Sequence, residues 1–294
     1  MKIGIIGLGL IGGSVARAAR QAGWTVYATD LRPEATQAAR SEGVIEPEID
    51  AAQWISRVEA LVLTVPPTAL LDWLRWVAKL PRPVAVVEMT SVKRPLAVQI
   101  DVLPASFPLL SLHPMAGREV VGYENSAAGL FRGHPCAVVE FPGRQVPQTL
   151  AEAFLAMMGA HGESLSVAQH DRLVALVSHL PYLASAAVLT TVAQDSTGNG
   201  WARLAGTGFR DTTRVGASDP GLWQEILAAN REAVGEVFRH YAELVNDWAG
   251  QLAAGGWPTA LAKAPAIRTQ AMNTPRDGST RWATDAERTE PDEA

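Results

Sequence analysis

The chain opens with an apolar strand pattern that runs directly into a glycine-rich turn. Residues 2–6 read Lys-Ile-Gly-Ile-Ile, residues 7–12 read Gly-Leu-Gly-Leu-Ile-Gly, and a helical pattern follows to about residue 22. In a G-x-G-x-x-G turn the first glycine permits the tight bend, the second lets the backbone approach a pyrophosphate, and the third lets the helix pack against the strand. Backbone N–H groups at the helix start can then hold phosphate oxygens. The turn predicts a dinucleotide site formed by Gly7, Gly9, Leu10, Ile11 and Gly12.

A second strand, Thr25–Thr29, ends at Asp30. An acidic residue about 20 positions after the glycines is expected to bind the adenosine ribose hydroxyls. Its charge would repel a 2′-phosphate, so the sequence favours NAD over NADP. Arg32 leaves two interpretations open, since it could meet such a phosphate or simply cover the adenine.

Strand patterns recur at 60–65, 84–88, 107–112 and 136–141, with helical patterns between several of them. This alternation predicts an α/β, mostly parallel, doubly wound sheet. After one more helix and a short strand near 162–167, the pattern becomes helical. We therefore expect a dinucleotide-binding domain over 1–167, an all-α domain over 168–267 and a disordered tail over 268–294.

Three residues are expected at the carboxyl edge of the sheet, where open α/β sheets bind ligands. His113 ends an apolar run and precedes a proline, which disfavours a helical conformation. It could act on a ligand, or it could only end the strand and bond to a loop carbonyl. Ser91 follows another strand, and either a contact with a substrate alcohol or a helix cap explains it equally well. Pro66 could border the nicotinamide ribose, or it could only start a helix.

The second half contains fewer chemical signals. His179 lies beside Pro181, which should break or bend the helix there. Arg210 and Arg214 flank Asp211, an arrangement typical of a solvated loop with a local ion pair. In a chain of net charge −5 they are also the best-placed cations for a substrate carboxylate. A single helix of about 40 Å is expected after residue 219, with Asp219 as N-cap, and its apolar stripe predicts a homodimer.

Charge and cysteine content exclude several classes of function. The chain has no Lys/Arg block, which argues against nucleic-acid and membrane-surface partners. It has one cysteine and no Cys-x-x-Cys or His-Glu-x-x-His spacing, so no metal site is expected. No signal peptide is recognised and no run reaches about 18 uninterrupted apolar residues, so we expect a cytoplasmic protein without a membrane span.

Taken together, these motifs resemble the prephenate/arogenate dehydrogenases of tyrosine biosynthesis. The resemblance covers about residues 2–250 and implies NAD-dependent oxidative decarboxylation of prephenate to 4-hydroxyphenylpyruvate. It also implies a Rossmann-type domain followed by a helical dimerisation domain. The residues that carry it are 7–14, 90–93 (Thr-Ser-Val-Lys), 113–117 (His-Pro-Met-Ala-Gly), 178–181 (Ser-His-Leu-Pro), 208–214 (Gly-Phe-Arg-Asp-Thr-Thr-Arg), 218–220 and 223.

The resemblance also implies roles for individual residues. His113 corresponds to the catalytic histidine, Ser91 assists it, and Arg214 anchors a substrate carboxylate. His179 and Trp223 belong to the substrate pocket, and Arg210 pairs with Glu119 at its entrance. The chain departs from the family pattern at Glu88, Met89 and Arg118.

The chemistry agrees with a histidine base. Hydride leaves the ring carbon that bears the alcohol, the hydroxyl proton needs an acceptor, and an imidazole with a pKa near ~6.5 is suitable. Arogenate remains an alternative substrate. A dehydrogenase for another hydroxy acid would commonly use a lysine in the second half, where Lys263 stands alone. An NAD-responsive binding module is the non-enzymatic alternative.

Overall fold

The computed structural model describes residues 1–47, 50–195 and 198–274. The chain divides into two compact units, one covering Met1–His170 and the other beginning at Asp171. The boundary expected after residue 167 lies slightly earlier in the chain than this division.

The first unit is built on a seven-stranded sheet with the order β2-β1-β3-β4-β5-β6-β7. β6 runs antiparallel to β5, and the other neighbouring pairs are parallel. The predicted mostly parallel, doubly wound sheet is therefore confirmed. The strands are β1 (Lys2–Ile6), β2 (Thr25–Thr29), β3 (Ala60–Leu63), β4 (Ala85–Glu88), β5 (Leu109–Pro114), β6 (Pro135–Glu140) and β7 (His161–Ser166).

Helices cover both faces of this sheet. Successive residues of a strand point to opposite faces, so the apolar side chains on each face need helices packed against them. In β3, Ala60 and Val62 pack in one buried cluster with residues of the first and sixth helices. Leu61 and Leu63 pack in a second cluster with residues of the fourth and fifth helices. The helices are α1 (Leu10–Gln21), α2 (Pro33–Ser41), α3 (Ala51–Trp54), α4 (Pro67–Val77), α5 (Arg94–Val98) and α6 (Gln148–Met158).

The second unit is helical, and its first helical stretch changes type where the sequence predicts a bend. α7 (Val167–Val174) is followed by a π-helical turn, Ala175–His179, and then by α8 (Leu180–Ala193), which has Pro181 in its first turn. A proline there lacks the N–H for a regular helical bond, and the wider turn accommodates it. The remaining helices are α9 (Thr207–Thr213), α10 (Pro220–Ala229), α11 (Arg231–Ala253) and α12 (Ala264–Asn273).

The prediction of one long helix after residue 219 is wrong. Asp219 is the N-cap as expected, since its Oδ1 accepts a bond from the N–H of Leu222 at 2.7 Å. The helix ends at Ala229 because Asn230 adopts a non-helical conformation (φ −114, ψ 26), and α11 starts at the next residue.

The segment expected to be a disordered tail begins as a helix. Residues 268–273 belong to α12, which starts with Pro265 in its first turn, a position where proline is favoured. Residues 275–294 lie outside the described residues.

The stretch Val167–Ala193 is long and apolar enough, by length and composition alone, to cross a membrane, and 28% of its most apolar window is buried. The expectation of no membrane span rested on uninterrupted apolar runs, and Ser178 and His179 interrupt this one. Core helices of other proteins pass the same test, so this finding by itself is weak evidence for a span.

Candidate active site

The turn between β1 and α1 has the conformation that its glycines permit. Gly7 has a φ of +97, which favours glycine, and its N–H donates to the carbonyl of Thr29 at 2.9 Å. A Cβ on Gly12 would lie 1.9 Å from the carbonyl oxygen of Gly7. A Cβ on Gly9 would meet no protein atom within 4 Å. The backbone at Gly9 is therefore open to a ligand, while Gly12 is needed for packing.

The first turn of α1 can receive an anion. The helix begins at Leu10 with Gly9 as its N-cap, no side chain caps it, and its first turn holds no acidic residue. Leu10 and Ile11 are its first helical residues, as the sequence predicts. Because no carboxylate competes there, the positive end of the helix dipole fits a phosphate group.

Asp30 joins the end of β2 to this turn. Its Oδ2 accepts a bond from the N–H of Leu8 at 2.6 Å, and its Oδ1 accepts one from the N–H of Arg32 at 2.7 Å. The Arg32 side chain is also near, with Nε 3.6 Å from Oδ1. A carboxylate thus stands beside the glycine turn, where an acidic residue would meet ribose hydroxyls.

Three of the predicted residues lie at or just beyond the carboxyl ends of neighbouring parallel strands, so they share one edge of the sheet. Pro66 follows β3 and is the N-cap residue of α4, a position that leaves its proposed contact with the nicotinamide ribose open. Ser91 follows β4, but the N-cap of the next helix is Lys93, so Ser91 is not that cap. His113 is the penultimate residue of β5 and is partly exposed. The glycine turn after β1 lies at the same edge.

His113 pairs with a second histidine that the sequence did not indicate. Its Nδ1 lies 2.8 Å from Nε2 of His170, and the two ring centroids are 5.1 Å apart. His170 is completely buried in α7. Since the two residues are separated by 57 positions, no local pattern in the sequence links them.

A buried ionic cluster contacts the two residues of β5 that precede His113. The Lys93 ammonium is 2.7 Å from Oε1 of Glu88 and donates to the carbonyl of Leu112 at 2.9 Å. Thr90 donates its hydroxyl to Oε2 of Glu88 at 2.7 Å, and the hydroxyl of Ser111 also donates to this carboxylate. Glu88 and Lys93 are both fully buried. Glu88, a departure from the family pattern, therefore accepts bonds that fix the ends of β4 and β5.

The segment after β5 is fixed to α1 and to the end of α2 by polar contacts of Tyr123. Arg17 lies 2.6 Å from the carboxylate of Glu42 and 4.6 Å from the ring centre of Tyr123. The Tyr123 hydroxyl donates to the same carboxylate at 3.2 Å. Burial raises the pKa of Tyr123 to about 12, although the positive charge of Arg17 opposes the shift. The bond from Arg17 lowers the pKa of Glu42.

Neither thiol nor metal chemistry is indicated in the described parts of the chain. Cys136 is buried next to β5, and burial raises the pKa of its thiol to about 12, so the thiol stays protonated at neutral pH. No group of three or more His, Cys, Asp or Glu side chains with metal-binding geometry occurs among residues 1–47, 50–195 and 198–274.

In the second unit, two predicted residues contact one another. The ring of His179 meets the indole of Trp223 edge to face, with centroids 5.9 Å apart. Trp223 also stacks in parallel on Tyr182, with ring centroids 3.9 Å apart. His179 is buried, whereas Trp223 and Tyr182 are partly exposed. Tyr182 lies three residues after His179 on the same helical stretch and was not predicted from the sequence.

Asn230 explains both the helix break and the position of His179. Its side-chain amide donates to the carbonyl of Asp171 at 2.8 Å and lies 3.4 Å from Nδ1 of His179. The residue is buried, so these contacts satisfy a polar group that could not otherwise be placed there.

The two candidate arginines lie close together in the chain. Arg210 is in the last turn of α9, and Arg214 directly follows this helix; both are exposed. One helical turn separates them, so their side chains project from neighbouring positions of one surface.

Comparison with known sequences identifies the family. Residues 15–161 match the model of the prephenate dehydrogenase nucleotide-binding domain, and residues 166–263 match that of the prephenate dehydrogenase dimerization domain. The chain belongs to the prephenate dehydrogenase family. The predicted fold class, a Rossmann-type domain followed by a helical dimerisation domain, is confirmed, and the apolar stretch Val167–Ala193 lies within the dimerisation match.

Alignments with two curated relatives show what share of each protein this chain matches. The chain is 32% identical to cyclohexadienyl dehydrogenase of Zymomonas mobilis over 250 residues, which cover 81% of this chain and 84% of the relative. It is 27% identical to prephenate dehydrogenase of Bacillus subtilis over 240 residues, which cover 78% of this chain and 64% of that protein. The match therefore spans less than two thirds of the Bacillus enzyme.

Solved structures of this family have the same fold. Arogenate dehydrogenase of Synechocystis is 26% identical with a TM-score of 0.75, and the match covers 92% of this chain and 100% of that one. Prephenate dehydrogenase of A. aeolicus, solved in complex with hydroxyphenyl propionate and NAD+, has a TM-score of 0.81, covering 92% and 97% of the two chains. At 23% identity, the second likeness concerns the fold alone.

Proposed function

We propose that this chain is an NAD-dependent prephenate dehydrogenase, which converts prephenate to 4-hydroxyphenylpyruvate, CO2 and NADH. The observation that carries the proposal is the common sheet edge of the glycine turn and His113, in a chain of the prephenate dehydrogenase family. A dinucleotide and a proton acceptor at one edge are what an alcohol oxidation requires.

The residues of the first unit fit NAD. Gly9 leaves the backbone open to the pyrophosphate, the uncapped start of α1 favours its charge, and Asp30 favours ribose hydroxyls over a 2′-phosphate. Bound there, NAD would supply the hydride acceptor for the ring carbon that carries the alcohol. Pro66 is proposed to border the nicotinamide ribose.

His113 is proposed to move the proton. Its partly exposed imidazole accepts the proton of the ring hydroxyl as the alcohol becomes a carbonyl. Loss of CO2 then returns the electron pair of the broken C–C bond to the ring, and His113 returns the proton to the resulting phenolate oxygen. The net products are CO2, NADH and the phenol, with no proton left over. Ser91 is proposed to hold the ring hydroxyl toward His113.

Residues of the second unit are proposed to bind the substrate. Arg214 is the anchor for a carboxylate, since a guanidinium binds such a group through two parallel hydrogen bonds. His179 and Trp223 are proposed to line the pocket, and Arg210 to attract the dianionic substrate. These roles rest on the family motifs at 178–181 and 208–214.

The protein is further proposed to be a cytoplasmic homodimer. Its second unit matches a dimerisation domain, and apolar side chains of this unit remain exposed in the single chain. A second copy would remove them from water. Among the exposed apolar residues of the described second unit are Leu173, Leu176, Val177, Leu244 and Val245.

The nearest alternative substrate is arogenate, which carries an amino group where prephenate carries a keto group. The Synechocystis relative supports keeping this alternative. Both substrates share the ring that reacts at His113, so the difference concerns the side-chain end of the pocket.

The test is the appearance of NADH when the full-length protein is mixed with NAD and prephenate, arogenate or a simple 3-hydroxy acid in parallel. We expect prephenate to give the highest kcat/KM, and NADP to be a poorer acceptor than NAD. A higher kcat/KM with arogenate would change the substrate assignment. Turnover of the 3-hydroxy acid alone would exclude this reaction, and no turnover with any substrate would favour the binding-module alternative.

A further inference from the structure

We propose that His170 is a positioning residue that holds His113 in the one tautomer able to accept a proton from the substrate. The inference rests on the proposed function of His113 as the base and adds a residue to which no role has been assigned. The observation behind it is the 2.8 Å contact between Nδ1 of His113 and Nε2 of His170.

Two neutral imidazoles at this distance share a single hydrogen, so one ring donates and the other accepts. If His113 donates from Nδ1, its Nε2 carries a lone pair and can accept a proton. If His170 donates, the hydrogen of His113 must be on Nε2, and the base is blocked. The direction of this one hydrogen bond thus decides whether His113 can act.

His170 supplies what His113 would lack alone. A histidine side chain in water prefers the tautomer with hydrogen on Nε2, which is the blocked form. An acceptor facing Nδ1 reverses this preference, because the tautomer of a histidine is set by the bond that its other nitrogen makes. The proposal therefore requires that His170 carry its own hydrogen on Nδ1, so that its Nε2 is the acceptor. In serine proteases a buried aspartate has this orienting role. Here a buried imidazole would have it without adding a negative charge.

The surroundings of His170 make it a rigid partner and not a second base. It is fully buried, so a substrate cannot reach it. It follows directly after a capping box at the start of α7. In this box the Gln169 side chain accepts from the N–H of Ser166 at 2.9 Å, and the Ser166 hydroxyl accepts from the N–H of Gln169 at 3.2 Å. The turn that carries His170 is therefore fixed at its first residues.

The hydrogen bond between His113 and His170 also stabilises the protonated form of His113. When His113 has accepted the substrate proton, both of its nitrogens carry hydrogen, and Nδ1 still donates to His170 without any rearrangement. A partner that is already aligned costs no reorganisation during the reaction. We therefore expect His170 to affect kcat and to leave the binding of NAD and prephenate nearly unchanged.

Three substitutions separate an orienting role from a packing role. In His170→Gln the amide oxygen is as many bonds from the backbone as Nε2 and can still accept from His113. His170→Asn is one bond too short, and His170→Leu has similar bulk but no acceptor. We expect the Asn and Leu variants to lose on the order of 10–100-fold in kcat, and the Gln variant to stay close to wild type. His161→Leu, which removes a histidine from β7, is the matched control and should keep wild-type kinetics.

The decisive readout is the tautomer itself. With 15N-labelled histidine and the wild-type protein at mildly alkaline pH, NMR should show His113 protonated on Nδ1, with assignments from His113→Asn and His170→Gln. In His170→Leu this signal should change to the Nε2-protonated form. This measurement needs no substrate, so it separates failure of the inference from failure of the proposed reaction, which the wild-type assay tests.

The inference is overturned if wild-type His113 is protonated on Nε2. It is also overturned if folded His170→Leu keeps wild-type kcat, if it changes KM alone, or if His170→Gln is as slow as His170→Leu. Should the Leu variant fail to fold, the wild-type spectrum still decides.

Discussion

The two ends of the proposed reaction site in the first unit are built in different ways. The glycine turn is made of backbone: its residues are contiguous from 7 to 12, and its shape follows from a positive φ at Gly7 and a missing Cβ at Gly12. The end of β5 is built from side-chain contacts: His113 contacts His170, and the carbonyl of Leu112 accepts a bond from Lys93. We propose that the first region binds the dinucleotide through backbone dipoles and that the second holds the proton acceptor.

This difference explains which region the sequence reveals. Backbone geometry is specified by neighbouring residues, so a short motif is enough to predict it. Side-chain partners come together only through the fold, and His113 meets a residue 57 positions away. The chemistry should therefore be more sensitive to distant substitutions than the cofactor site is.

The largest effect is expected at the proton acceptor. His113→Asn removes the base but keeps a polar side chain of similar size, so kcat should fall by on the order of 10²–10⁴. NAD affinity, measured by titration of the protein without substrate, should be unchanged because the glycine turn is untouched. Near-normal turnover would refute the assignment of His113.

The buried ion pair should matter for stability. Lys93→Met leaves the Glu88 carboxylate buried without its ion-pair partner, and the free energy of unfolding should fall by about 3–5 kcal/mol. The double variant Glu88→Leu/Lys93→Met removes both charges and should recover part of the loss. Denaturant unfolding of the single and double variants measures the coupling. Equal stability of wild type and Lys93→Met would show that the pair does not support the end of β5.

Two glycines of the turn between β1 and α1 offer a matched pair of substitutions. Gly12→Ala places a Cβ against a backbone oxygen and should cost about 1–3 kcal/mol of stability. Gly9→Ala meets no protein atom, so stability should be kept while the Kd for NAD rises by about 10–100-fold, because the new methyl occupies the space of the pyrophosphate. Unchanged NAD affinity in Gly9→Ala would mean that the dinucleotide binds elsewhere.

A smaller effect, confined to one kinetic constant, is expected in the second unit. Arg214→Ala should raise the KM for prephenate by about 10–100-fold, with little change in kcat. This factor corresponds to the binding free energy of one lost hydrogen bond to a charged group. Arg203→Ala, an exposed arginine before α9, serves as the control. If both variants have the same KM, Arg214 is not the carboxylate anchor.

Much of the fold was predictable, and the failures have local physical causes. β1 and β2 were predicted to the residue, since both are short apolar runs bounded by turns. The helix break at Asn230 was missed because it depends on buried contacts with Asp171 and His179, which periodicity does not encode. α12 was missed because its polar sequence resembles a disordered tail, although its intrinsic helix propensity is adequate.

In the candidate site too, the residues within local motifs were predicted, and those that depend on distant contacts were not. The motifs predicted the glycine turn, Asp30, Ser91 and His113 at one sheet edge. They did not indicate His170 or the cluster around Glu88, which consist of single polar residues in apolar surroundings. Such a residue is most often a satisfied buried group, and only the structure shows what it contacts.

We propose that this chain couples hydride transfer to decarboxylation with His113 as proton acceptor. The most direct test is the stoichiometry of NADH, CO2 and 4-hydroxyphenylpyruvate formed from prephenate by wild type and by His113→Asn. We expect equal amounts of the three products from wild type and a parallel loss of all three in the variant. NADH without CO2, or equal turnover by the variant, would contradict it.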